Sequence, residues 1–324
     1  MNMVVSPYHL TTREPAVMAS FALARRVVTV LPGSGDGGGT ARALPAFARV
    51  MKSWAWTVAF WKTGLLTGEQ DAVSPDADVL EAARHMEADA GCFPLRHFLR
   101  VHDYDNPRAY LNALANDLMK GGPDPGLSLP VAAGLDRFAA RTGCIVARGA
   151  ASSLAQRAES SISTPVFNAV VPVFLQATSE RVLHFREVLA DEVAGFGAAI
   201  ERMGLAGEAR GDAEVQESAS SLTRAFERRR EELYQGSSED EVRPIEGAVS
   251  LQGVRLPWDA VLVSSVRAVE QLSGAGAGPV QQQEHPVHTA LPVLRDDLAG
   301  KSFLSLVVRP IGASAGRSGG GPNK

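Results

Sequence analysis

VVTVLPGSGDGGGTARALPAF, residues 27–47, runs from a β-branched apolar segment through a glycine-packed loop into a helical pattern. Strand, glycine loop and helix in that order is the layout with which dinucleotide and P-loop proteins hold phosphate. Gly33, Gly35 and Gly38 satisfy G-x-G-x-x-G. The continuation departs from the fingerprint: GLLTGEQDAVSPDA, residues 64–77, shows no apolar second strand ending in an acid to hold a ribose hydroxyl, and Pro32 intrudes before the loop. Read as a P-loop, Gly33 and Gly38 are correctly separated with Thr40 as the metal hydroxyl, but Gly39 stands where the lysine must be. A flexible connection is the simpler expectation for this loop.

Working outward, Thr12 is read as the cap of a helix reaching Arg26, with Glu14 and Pro15 in its first turn. After the loop, Leu44, Phe47, Met51, Trp54, Val58 and Trp61 recur in steps of three and four, which predicts one helix from Thr40 to Lys62 with a core-facing stripe. Ser74-Pro75 and Asn106-Pro107 start helices over 75–89 and 107–120, and Ser128 starts another that ends at Gly143. CIVA, residues 144–147, is the next strand, and a helix covers residues 152–161. TPVFNAVVPVFLQ, residues 164–176, is extended, its prolines confining it to an edge or a bulge. Thr178 or Ser179 begins a helix to Met203, and residues 211–235 form its antiparallel partner. GAVSLQGVRLP, residues 247–257, alternates around Gln252-Gly253 like a hairpin, and KSFLSLVVRPI, residues 301–311, is a final strand.

These elements predict a helix-rich α/β or α+β protein: several packed helices with a small mixed sheet built from N-terminal, middle and C-terminal strands. The expected organisation is a main helix-rich domain over 1–236, a smaller C-terminal α/β portion over 237–311 packed on it, and a disordered tail over 312–324.

Composition limits the function classes. The chain of 324 residues is 45% hydrophobic and 21% charged, ordinary for a folded protein. Lys and Arg number 32 against 36 Asp and Glu, so no global positive field attracts nucleic acid, and no such partner is expected. Cys92 and Cys144 lie too far apart for metal spacing and read as small apolar residues. No apolar run approaches the roughly 20 residues that span a bilayer, and MNMVVSPYHLTTREP lacks a secretory pattern, so a cytoplasmic protein without a membrane partner is expected.

The remaining motifs have plain explanations. GASAG, residues 312–316, matches a nucleophile elbow but leaves no chain for the acid and histidine that must follow. His285 and His288 are separated by Pro286, against a helical metal site. HDYDN, residues 102–106, lacks the glycine and distant glutamate of a calcium loop. The arginines of RAFERRREELY, residues 224–234, interleave with Glu227, Glu231 and Glu232 as a solvated helix face.

The 117–130 turn, DLMKGGPDPGLSLP, crowds Asp117, Lys120 and Asp124 beside a helix start, a setting for a small polar ligand. By elimination, the first functional expectation is a protein-binding adaptor without catalysis, with another protein or a second copy of the chain as partner. The alternative is an enzyme or small-molecule binder with Asp117, Lys120 and Asp124 at its site and His97 or His102 as acid-base group. Neither metal nor cofactor is predicted. An exposed apolar face bearing Trp56 or Phe60 would mark the first, a closed polar pocket the second.

Overall fold

The computed structural model describes residues 1–30, 52–69, 88, 129–149, 163–206, 210–235, 244–257 and 301–311. The first strand, β1 (Asn2–Val4), leads through Ser6, whose hydroxyl accepts from the Tyr8 backbone N–H, into α1 (Pro7–Thr12). Arg13 then turns left-handed at φ 50 and ends the helix. Glu14 holds the N-cap of α2 (Pro15–Leu23), with Pro15 where its missing N–H costs nothing. The helix expected from Thr12 to Arg26 is therefore two helices. Thr12 closes the first, and Arg26 already begins β2 (Arg26–Val30).

The next described helix is α3 (Val58–Lys62), preceded by a tight turn of helix at Ala55–Thr57. Lys52 and Ser53 are helical, but the chain turns at Trp54, so the expected continuous helix is interrupted there. The interruption rotates the buried face: Trp54, Thr57 and Phe60 are buried, whereas Val58 of the expected stripe is exposed. Phe60 stacks on Phe21 of α2 with centroids 4.1 Å apart, and Trp56 meets the same ring edge-on at 5.6 Å. Neither forms the exposed apolar face that would have marked a docking protein. Leu44, Phe47 and Met51 lie outside the described residues.

After Gly64, at φ 73, comes β3 (Leu66–Glu69). This corrects the sequence expectation that no strand ending in an acid follows the glycine loop. The strand was hidden by its brevity and by Gly68; pairing with β2 over Val27–Leu66 to Val30–Glu69 supplies what propensity lacks. Its terminal acid pairs with Arg26, which also donates to Thr67 Oγ1 at 2.8 Å.

Downstream, α4 (Leu129–Thr142) ends at Gly143, φ 68, as read from the sequence, and β4 (Ile145–Arg148) follows. β5 (Thr164–Phe174) is an edge strand with an irregularity between Pro165 and Phe167, where prolines are tolerated. Thr178 caps α5 (Ser179–Val188), and a break at Leu189 separates it from α6 (Ala190–Ala206). α7 (Arg210–Arg228) packs back on α6, with Arg202 bonded to Glu214 across the pair, and α8 (Arg230–Tyr234) follows.

The segment expected as a hairpin is one strand, β6 (Glu246–Pro257), paired antiparallel to β5 on one side and to β7 (Ser302–Ile311) on the other. Gly253 marks a close approach rather than a turn: a Cβ there would lie 2.1 Å from the Phe167 ring.

The seven strands form one mixed sheet in the order β3-β2-β1-β4-β7-β6-β5, drawing on N-terminal, middle and C-terminal segments as expected. β1, β2, β3, β4 and β7 run parallel. Strands from both sides of residue 236 share this sheet. From β1 the chain moves to β2 and β3, then returns to β4 on the other side of β1. By the strand order, which reverses at β1, the gap between β1 and β4 is the topological switch point, where the right-handed rule for parallel crossovers would set α2 and α4 on opposite faces. Met3, Ile145 and Leu306 are buried in the sheet, and α2, buried from Ala16 to Leu23, packs against β2, β4, β5 and β7 and against α5 and α6. Among the described residues, no helix is long and apolar enough to cross a membrane.

Candidate ligand site at the switch point

In open α/β sheets the crevice beyond the carboxyl ends of the strands, at the switch point, lies where neighbouring loops diverge and expose a cleft. Here the strands on either side end in Val4 and Arg148. Strand alternation places Arg148 on the same face as Val146 and Ser305, which are register partners. α4 covers that face: its Asp136, 1% exposed, accepts from Arg148 Nη2 on Oδ1 at 2.5 Å. Arg148 Nε donates to the buried Ser305 hydroxyl at 3.2 Å. Three elements thus hold one guanidinium in place.

His9 stands on α1, immediately past β1. Its Nε2 lies 3.7 Å from Glu14 Oε2, while its Nδ1 is buried without a hydrogen-bond partner among the described residues. Burial is the main cause of a lowered His9 pKa; Glu14 opposes the shift, and the positive charge of Arg148 adds to it. The imidazole is therefore held neutral. Burial likewise pushes the Asp136 carboxyl up, and the charge and hydrogen bond of Arg148 pull it back. Asp136 Oδ2, like His9 Nδ1, has no hydrogen-bond partner among the described residues. An unpaired buried acceptor costs on the order of 1–3 kcal/mol, so two around one charge form an unusual local expense.

Chemically, the cluster combines a fixed cation, a buried carboxylate and a neutral imidazole with one free nitrogen. A neutral imidazole of this kind can accept a hydrogen bond or a proton. Among the described residues, no group of three His, Cys, Asp or Glu side chains can hold a metal ion. Elsewhere, an open depression of about 640 Å³ is lined by Arg230, Glu231, Tyr234, Gln235, Pro244 and Glu246. Its polar groups already serve each other, since both Arg230 and the Tyr234 hydroxyl bond Glu246.

None of the site residues expected from sequence enters this picture. Asp117, Lys120 and Asp124, His97 and His102, the glycine loop from Gly33 to Gly39, the His285–His288 pair and the GASAG segment all lie outside the described residues. As site residues, the sequence reading missed His9, Glu14, Asp136, Arg148 and Ser305, which come from four separate stretches. Two signals pointed to them. Asp136 interrupts the apolar face formed by Leu135, Phe138 and Ala139, and Arg148 closes an otherwise apolar strand.

No protein-family model, curated protein or solved structure matches the chain. What the fold and site define is a class: an α/β protein with a doubly wound parallel half and a buried charged cluster at its switch point.

Proposed function

We propose that this protein binds a small polar molecule in the crevice between β1 and β4, as an enzyme or binding protein whose site is assembled from residues distant in sequence. One observation carries this: a buried imidazole nitrogen and a buried carboxylate oxygen, both unpaired among the described residues, belong to two side chains on which the charge of Arg148 acts near the ends of β1 and β4. Buried polar groups are paired in the great majority of native structures, and an unpaired one points to a functional role or to a bound water or ion that completes it.

The adaptor expectation lacks comparable support, because Trp56 and Phe60, the side chains looked to for an apolar docking face, pack on Phe21. A protein partner or a second copy of the chain stays a proposal from elimination alone. No nucleic-acid partner is proposed, since Arg229 and Arg230 engage Glu232, Glu227 and Glu246. A reducing, cytoplasmic setting suits the unpaired thiol of the buried Cys144.

Native mass spectrometry on protein freshly purified from its own host, compared with the denatured mass, tests the proposal. The expected result is a reproducible non-protein mass excess that disappears in the His9→Leu, Asp136→Leu double variant while circular dichroism stays unchanged. A bare wild-type chain, or an excess that survives in the folded double variant, would overturn it.

A further inference from the structure

The atoms left unpaired at the switch point also define what chemistry completes them. Asp136 gives Oδ1 to the guanidinium, and in the carboxylate form that Arg148 favours against the raising effect of burial, Oδ2 accepts. Glu14 lies beside His9 Nε2 and favours the proton there, which leaves Nδ1 as a bare acceptor. Both orphaned atoms therefore call for donors. Arg148, whose charge acts on both groups, bonds Asp136 through Nη2 and Ser305 through Nε. Among the described residues, with His9 neutral, Asp136 and Glu14 outnumber Arg148, so these four groups have a negative balance.

An anion placed here meets that balance and leaves both acceptors unpaired. An ammonium satisfies the acceptors but sits against the fixed guanidinium. A neutral hydroxyl group donates without bringing charge. Resting on the small-ligand reading above, we infer that the site takes a neutral ligand that presents hydroxyl groups, of the sugar or nucleoside kind, with Asp136 Oδ2 and His9 Nδ1 as the receiving atoms. This inverts the usual occupancy of such crevices, where backbone amides and helix N-termini receive phosphate.

The test uses ¹⁵N-labelled full-length protein and follows the His9 imidazole nitrogens by long-range ¹H–¹⁵N correlation. Ribose, adenosine and myo-inositol are the hydroxyl probes, and inorganic phosphate and acetate the anions. The expected spectrum of the free protein has a protonated Nε2 and a bare Nδ1. At least one hydroxyl probe shifts Nδ1 upfield in a saturable way, and neither anion does. In Asp136→Asn, shown folded by its amide spectrum, the apparent affinity for that probe falls about tenfold, the loss of one hydrogen bond to a charged group. A His9 response to phosphate or acetate overturns the inference, as does silence toward every hydroxyl probe, or a protonated Nδ1 in the free protein. The mass experiment separates the two levels: a retained anionic ligand sinks the hydroxyl class and keeps the site, whereas a bare chain sinks both.

Discussion

Arg148 and Asp136 are the residues on which the account turns. Their pairing at 2.5 Å removes both charges from water, and breaking a buried pair costs about 3–5 kcal/mol because the survivor stays uncompensated. Arg148→Met is thus expected to lower the unfolding free energy by about that much in a denaturant titration, and Arg148→Met with Asp136→Leu to recover most of the loss. A double variant as unstable as the single one would show that the pair is not the unit argued here. His9 adds a pH dependence of definite sign. Its folded pKa lies below the ordinary imidazole value, chiefly through burial, so the unfolded chain binds the extra proton first. Stability from neutral His9 is fully present above the ordinary value and is lost as pH falls through the lowered one. Between about pH 7 and about pH 5, the melting temperature of the wild type should fall further than that of His9→Gln. Equal falls would mean that His9 titrates as it does in water.

At the scale of elements, punctuation was the legible part of the sequence. Pro15, Gly143 and Thr178 act through backbone geometry that any fold must respect, and each sits at the helix boundary its chemistry demands. What neighbours impose was not legible. Gly253 reads as a turn residue in isolation, yet it serves mid-strand because the Phe167 ring occupies the space of its Cβ. Gly253→Val should therefore destabilise by about 1–3 kcal/mol through overpacking, although valine favours strands. An unchanged or higher melting temperature would contradict the close approach. Equally hidden were the arginines that cross between elements to cap helix C-termini. Arg186 reaches Phe21 O at 3.0 Å and Ala22 O at 3.2 Å at the end of α2, Arg181 reaches Leu233 O, Arg229 reaches Val188 O, and Arg255 approaches Met203 O and Gly204 O. Each places a cation against the negative end of a helix and satisfies carbonyls the helix cannot. Burial lowers the Arg186 pKa, and no acid pairs with it in these contacts, so the carbonyls are its compensation. Arg186→Met is expected to cost about 1.5–3 kcal/mol, the range for hydrogen bonds to a charged group, read as a shifted denaturant midpoint at constant slope.

For the whole molecule, the class was readable because alternating helical and β-branched segments admit few layer arrangements. Strand order was not, since parallel pairs such as β4 with β7 join residues far apart in the chain. The switch-point cluster follows from that order: His9, Asp136, Arg148 and Ser305 share no motif and meet only because β4 returns beside β1 and β7 beside β4. A site of this origin leaves almost no local trace in sequence, whereas the glycine loop that matched a fingerprint rests on local pattern alone. The central claim is that the cluster is completed by a ligand. The most direct measurement is an electron-density map of the β1–β4 crevice in crystals of protein purified from its own host. The account predicts non-protein density within hydrogen-bond distance of both His9 Nδ1 and Asp136 Oδ2. A single ordered water bridging those two atoms, or a protein side chain filling the crevice, would contradict it.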